Sequence, residues 1–332
     1  MRTAKVYGTV LAAVTLSAMT VPAEAVALPP SAPAAPQPPA AAPSVTGAPA
    51  PTLPPAADDV VTARAVMITP EPPNTRTYSY GPAERQRLDA YWHDADRERP
   101  GVLIVHGGYW KSGDKSDWKY TARRLAARGY AVFVTNYRLI PARWPAQRTD
   151  VAAALEYVKR NARQWRLDPD RIVVLGSSAG GHLAAQLGTV GEGGRRVRGV
   201  VALSPVISLE RAYRDGAAPG ASQSRRKLRQ AVRELLGCDP EAPDADPSCF
   251  ERMEDAAPTS HAGPGDAPML LLHSANEFVP ALHGRMLASV LTAAGVKATV
   301  QVVPGRAHGG TLLRDPARFA AVARWIDQAV GR

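Results

Sequence analysis

Cysteine is almost absent from this chain: Cys238 and Cys249 are the only two in 332 residues. They stand in the Pro- and Asp-rich stretch "GCDPEAPDADPSCF", without the short-spaced Cys or His partners that a zinc site needs. In an exported protein such a pair reads as one disulfide clamping an irregular loop. Long apolar runs are scarce too. The run "VYGTVLAAVTLSAMTV" is bounded by Pro22 and falls short of the roughly 20 residues of a comfortable membrane span. No cysteine follows it for lipid attachment, and no twin-arginine pair accompanies it. Aromatics make up 6% of the chain and do not interleave with its basic stretches, so the net charge of +10 carries no nucleic-acid signature. No internal repeat is visible, which excludes solenoid and propeller arrays.

What is present divides the chain in three. Arg2 and Lys5 lead into the apolar run, and "PAEA" follows it with Ala23 and Ala25 in A-x-A spacing. Residues 1–25 therefore read as a Sec-type secretory signal, and the expected location is outside the cell, with no stable membrane insertion after processing. Residues 26–60 are nearly all Pro, Ala and small side chains, too poor in large apolar surface to offset the entropy of ordering, and read as an extended linker. Residues 61–332 are long enough for one sizeable core. The densest basic stretch, "SRRKLRQAVREL", places Leu228, Val232, Leu235 and Leu236 on one helical face. Arg225, Arg226, Lys227, Arg229 and Arg233 lie mostly off that face, the pattern of a solvated helix covering a core rather than a site for anions.

Beyond the linker, short runs rich in Val, Ile and Thr alternate with helical patterns. "TARAVMI", "TRTYSY" and "RLDAYW" predict an antiparallel start. Strands are then expected at 101–105, 131–137, 171–176, 197–204, 268–274 and 297–303. Helices are expected around 116–128, 145–165, 178–188, 281–294 and 313–330. Apolar strands with helical crossovers imply an α/β domain whose mostly parallel sheet is covered on both faces.

Two stretches carry chemistry. In "RIVVLGSSAGGHLAAQL" an apolar strand ends in Gly176-Ser177-Ser178-Ala179-Gly180 and passes at once into a helix, the setting in which G-x-S-x-G forms a nucleophile elbow. Ser178, the central residue, is the expected nucleophile and Ser177 its neighbour. Upstream, the strand "GVLIV" runs into His106-Gly107-Gly108-Tyr109-Trp110. Acyl transfer needs backbone N–H groups aimed at the developing oxyanion, and glycines let the main chain approach it. The amides of Gly108, Tyr109 and Ala179 are the expected donors, with His106 organising the glycine turn.

With "HGGYW" and "GSSAGGHLA" both in place, the chain resembles α/β-hydrolases of the esterase/lipase branch that carries an HGG loop before the elbow. It is also similar to kynurenine formamidases and to bacterial carbohydrate esterases of the acetyl or feruloyl type. "NYRLIPARWPAQRTDVAAALEYV" resembles the segment these proteins place between the two motifs, and the likeness spans roughly residues 61–332. The resemblance implies the chain order nucleophile, acid, histidine. "KATVQVVPGRAHGG" then supplies His308 as the base, in preference to His182 and His273, which are expected to pack or cap, and to His93, His261 and His283, which lack a motif.

The acid is where the sequence departs from the pattern. Counting back from Val279-Pro280 in "HSANEFVP" lands on Asn276, which has no charge, while Glu277 is adjacent. The expectation is Glu277 as the acid, with Asn276 as a second orienter or a weakened replacement. In the preceding strand's exit Ser208 stands where an aspartate might, and the nearest carboxylate is Glu210. The insert 209–264, with the basic helix and the cysteine pair, is expected to act as a small cap shaping the pocket. The resemblance implies a serine hydrolase with no metal or organic cofactor; with the secretory leader it points to a secreted enzyme acting on a small or polymer-linked carboxylic ester, and the composition to no nucleic-acid partner. The rival expectations are an amidase or formamidase, and a catalytically impaired binding relative kept in view by Asn276. The sequence carries no signal for oligomeric state.

Overall fold

The computed structural model describes residues 73–332 apart from 244 and 245. The expected signal, the linker and the strand "TARAVMI" lie outside the described residues.

Eight strands form one sheet: β1 (Asn74–Ser79), β2 (Arg87–Trp92), β3 (Arg99–Val105), β4 (Ala131–Thr135), β5 (Leu167–Ser177), β6 (Gly199–Leu203), β7 (Met269–Ser274) and β8 (Ala298–Val303). Their order is β1-β2-β4-β3-β5-β6-β7-β8. β2 runs antiparallel to both β1 and β4, and every pairing from β4 across to β8 is parallel. The antiparallel start and the parallel remainder both follow the sequence pattern. Strands buried on two faces read as continuous apolar runs, which is why they were legible.

The helices are α1 (Lys119–Ala126), α2 (Ala146–Arg160), α3 (Ala179–Thr189), α4 (Gly193–Arg196), α5 (Leu209–Ala217), α6 (Gln223–Leu236), α7 (Pro247–Asp255), α8 (Leu282–Ala293) and α9 (Pro316–Ala329). Side chains alternate across a strand, so β3 serves two cores. Leu103 and Val105 join the cluster with α2, α3 and the insert helices, while Val102 and Ile104 join the one with α1 and α9. In α6 the buried residues include Leu228, Val232, Leu235 and Leu236, the face expected from the pattern. Cys238 and Cys249 form a disulfide between the end of α6 and the body of α7.

Two expected helices are shorter than the sequence pattern suggests, for local reasons. The helix begun near Pro145 ends at Arg160, where the Asn161 amide side chain donates back to Tyr157 O, and a short 3-10 turn carries the chain to Trp165. The last helix begins at Pro316 rather than 313, because the Asp315 side chain accepts from the amides of Ala317 and Arg318 and caps it there.

Candidate active site

The parallel strands β3, β5, β6 and β7 deliver their carboxyl ends to one edge of the sheet, where ligands bind in open α/β folds. Ser178 occupies the single step between β5 and α3, with φ 54° and ψ −116°, a conformation that costs a non-glycine residue energy and holds its side chain off the turn. The flanking glycines are demanded by contact. A Cβ on Gly176 would stand 2.1 Å from Gly180 O, and one on Gly180 would stand 2.2 Å from Val105 O. The Ser178 amide donates to Leu203 O at 2.8 Å, which ties the elbow to the next strand.

The loop after β3 lies against this elbow: a Cβ on Gly107 would be 3.2 Å from Ser178 Cβ. Gly108, Tyr109 and Trp110 all take positive φ (115°, 57° and 55°), which turns the loop's amides out of the strand ladder. The amides of Gly108, Tyr109 and Ala179 donate to no acceptor among the described residues. His106 is buried, stacks on Tyr137 and sits between Gly107 O at 2.8 Å from Nδ1 and the Arg85 guanidinium at 3.3 Å from Nε2. Because guanidinium only donates, the ring proton is on Nδ1 and bonds Gly107 O. Burial lowers the ring's pKa to about 4, so it stays neutral and organises the turn.

His308 follows β8 in a loop stitched to the sheet. Three adjacent strands, β5, β6 and β7, end at or run directly into a serine, and each hydroxyl meets that loop. Ser177 Oγ accepts from Gly310 N at 2.9 Å, Ser204 Oγ accepts from Gly309 N at 2.9 Å, and Ser274 Oγ donates to Ala307 O at 2.6 Å. His308 Nδ1 lies 2.5 Å from Glu277 Oε2. Its Nε2 has no hydrogen-bond partner among the described residues. The Phe278 ring packs at 4.2 Å from the imidazole, and Tyr109 stacks in turn on Phe278. Ser178, His308, Gly108, Tyr109, Phe278 and Trp118 line one cavity of about 510 Å³.

The turn after β7 sends the two candidate carboxyl and amide side chains in different directions. Ala275 N and Asn276 N donate to Val303 O and Gly305 O, which prolongs the pairing toward β8 and leaves both side chains exposed. The chain then reverses, and Glu277 folds back until its Oε1 accepts from Ser274 N at 2.9 Å. Glu277 is buried, and Oε1 also meets His273 Nδ1 at 3.1 Å. Burial alone would raise its pKa, but hydrogen bonds from His273, His308 and Ser204 and the charge of His308 bring it down to about 2. The Asn276 side chain is thus exposed, and of the two candidates it is Glu277, the one favoured from the sequence, that meets His308.

The remaining candidates are accounted for. His182 is fully buried between Trp110 Nε1 and Ala256 O and packs, as expected. Ser208 caps α5 through Arg211 N, and Glu210 pairs with Arg214 at the surface. The insert lies beside the 510 Å³ cavity without lining it, and its Arg225 donates to Phe278 O. Its helix α6 instead borders an adjoining cavity of about 400 Å³ through Lys227, Gln230, Ala231 and Glu234, and that cavity shares Gly108 and Tyr109 with the first. The residue that sequence reasoning missed is His273, whose place on Glu277 is set by the turn rather than by any motif.

An eight-stranded sheet with a serine at a strand-to-helix elbow, a glycine-rich loop beside it and a histidine–carboxylate pair at its carboxyl edge is the α/β-hydrolase arrangement. Comparison with known proteins places the chain within that class. The BD-FAE family model matches residues 88–291, and the chain belongs to this family. Among curated relatives, Esterase LipU of Mycobacterium tuberculosis is 31% identical over 71% of this chain and 80% of its own length. The isoprenylcysteine alpha-carbonyl methylesterase ICME of Arabidopsis thaliana is 26% identical over 73% of this chain, which spans only 58% of that relative. The acetyl ester-xyloside bifunctional hydrolase of Caldicellulosiruptor lactoaceticus superposes with a TM-score of 0.63 at 22% identity, covering 79% of this chain and 99% of its own. That likeness concerns the fold.

Proposed function

We propose that this protein hydrolyses carboxylic esters through an acyl-enzyme. Ser178 Oγ attacks the ester carbonyl while His308 Nε2 takes its proton, and the carbonyl oxygen gains charge facing the amides of Gly108, Tyr109 and Ala179. His308 returns the proton to the leaving alcohol, then draws one from water as the hydroxide equivalent attacks the acyl-enzyme and releases Ser178. Glu277 holds the Nδ1–H tautomer of His308 and stabilises the imidazolium in both half-reactions. The observation that carries this reading is the buried Glu277 on His308 Nδ1, with the opposite ring nitrogen unpartnered in the cavity that Ser178 lines. A charged, fully bonded carboxylate there favours turnover over a degraded triad.

Several relatives bear on the substrate. LipU is named an esterase, and the fold neighbours include a hydrolase of acetyl esters and a carbohydrate esterase from gut microbiota. Together with the apolar leader and the disulfide, which suits an oxidising compartment, these support a secreted enzyme acting on acyl groups borne by small alcohols or sugars. The test is the initial rate on p-nitrophenyl acetate at neutral pH for the purified protein beside Ser178→Ala, with p-nitroacetanilide as the amide counterpart. The reading expects ester turnover that falls by roughly a thousandfold or more in Ser178→Ala. Equal rates for the two proteins would refute it, and a preference for the anilide would move the assignment to amides.

A further inference from the structure

Glutamate has one more rotatable bond than aspartate, so an acid of this length needs more to hold it still. Glu277 has that support. Its Oε1 accepts from Ser274 N and meets His273 Nδ1, which leaves Oε2 to face His308. His273 is the penultimate residue of β7, one before Ser274, and is fully buried. With a carboxylate as its neighbour, its Nδ1 carries the proton and donates it. The other ring nitrogen has no hydrogen-bond partner among the described residues and packs on the backbone of α8, where a Cβ on Gly284 would stand 2.8 Å from it. That packing leaves the ring no room to turn its Nδ1 elsewhere. His283, the next imidazole along, has its pKa lowered to about 3, chiefly by burial, and its Nδ1 accepts from Ser208 N, so it presents no competing charge.

We propose that His273 is the positioning residue of the acid, fixing the Glu277 carboxylate through Nδ1–H so that Oε2 is presented to His308. One buried carboxylate is shared by two imidazoles with different duties: His308 faces the cavity and exchanges protons, whereas His273 is packed behind it and only donates. The ring stands on a strand end, a rigid element that a long side chain can be braced against. This inference rests on the triad reading above.

The experiment is a mutant cycle on kcat and KM for p-nitrophenyl acetate. His273→Leu is expected to lower kcat by about tenfold to a hundredfold, the range for a hydrogen bond to a charged group, with KM within about twofold. In a Glu277→Ala background the same change should alter kcat by less than about twofold, because its target is gone. His273→Asn, whose amide nitrogen reaches the Nδ1 position, should recover most of the loss, and His273→Gln, which reaches the Nε2 position, should not. A merely structural histidine would give losses that multiply across the cycle and Asn and Gln variants of equal rate. Either result overturns the proposal, and so does an unchanged kcat in His273→Leu. If His273→Leu does not fold, the Asn and Gln pair decides alone. Ser178→Ala and Glu277→Ala separate the two failures: if they turn over like wild type, hydrolysis by this triad is refuted and the positioning role falls with it, whereas if both fall well below wild type, Glu277→Ala to a residual but measurable rate, and the cycle is multiplicative, only the role of His273 is lost.

Discussion

Replacing Glu277 by glutamine changes one oxygen to an NH2 group and removes one charge, and the structure dictates how that amide must lie. Ser274 N donates to Oε1 and cannot do otherwise, so the glutamine's oxygen is forced to that side. Its NH2 then faces His308 Nδ1, donates to it, and drives the ring proton to Nε2, where the imidazole cannot accept from Ser178. The loss of charge adds to the wrong tautomer. With Nδ1 2.5 Å from Oε2, the imidazolium and carboxylate charge centres are about 4 Å apart, and at an effective dielectric near 20 their attraction is worth about 4 kcal/mol. At roughly 1.4 kcal/mol per decade, kcat should fall by about a thousandfold or more. The assay is kcat on p-nitrophenyl acetate from pH 6 to 9, with Asn276→Ala as the companion. Asn276 is exposed, and its loss should leave kcat within about twofold. A Glu277→Gln enzyme within about tenfold of wild type, or an Asn276→Ala enzyme that collapses, would refute the assignment of the acid.

Three further outcomes follow from features of the fold. Gly180→Ala puts a methyl 2.2 Å from Val105 O and 2.3 Å from His106 O, both backbone atoms, so the elbow must shift. Overpacking of about 1–3 kcal/mol should lower Tm by several degrees in a thermal melt, and an unchanged Tm would contradict the tight contact. Reducing Cys238–Cys249, which closes a loop with a sequence separation of 11, should cost up to about 3 kcal/mol by chain entropy. Urea unfolding with and without reductant measures it, and coincident curves would mean that no bridge forms. Acid stability should carry the signature of Glu277. Its folded pKa, about 2, is depressed from 4.5, so its contribution is present above pH 4.5 and is lost as pH falls toward 2. The contribution is about 3 kcal/mol. The stability gap between wild type and Glu277→Gln in urea should therefore close between those pH values, and a constant gap would show that the carboxylate is not held by charge.

The strands and the two glycine motifs were legible because their physics is local: a run of Val and Leu buried on both faces has few alternatives, and an elbow needs glycines wherever it occurs. The breaks at Asn161 and Asp315 were also written locally, as an amide side chain and an Asp-Pro cap, but were overrun by the longer apolar periodicity. The choice between Asn276 and Glu277 was not legible in this way. Whether residue 276 or 277 turns inward depends on how the exit of β7 pairs with β8, a contact between segments about 30 residues apart. His273 was hidden for the same reason, since a histidine at a strand end looks alike whether it packs, caps or meets a carboxylate. The place of the insert was legible only coarsely, because composition says nothing about which of two adjoining cavities a helix overhangs.

The three strand-end serines have a consequence for how this site can change. Ser177, Ser204 and Ser274 hold the amides of Gly310 and Gly309 and the carbonyl of Ala307, so His308 is registered to three strands and hardly at all to the chain that leads up to it. The approach at Pro304, Gly305 and Arg306 lies exposed on the surface. Gly305 O nevertheless holds Asn276 N, so this exposed crossover is a shared hinge pin: it leads to the loop that carries His308 and also fixes the turn that carries Glu277. Residues inserted there would unseat Glu277 before they moved the imidazole, which makes this surface segment a poor place to splice in a peptide or an extra domain despite its exposure.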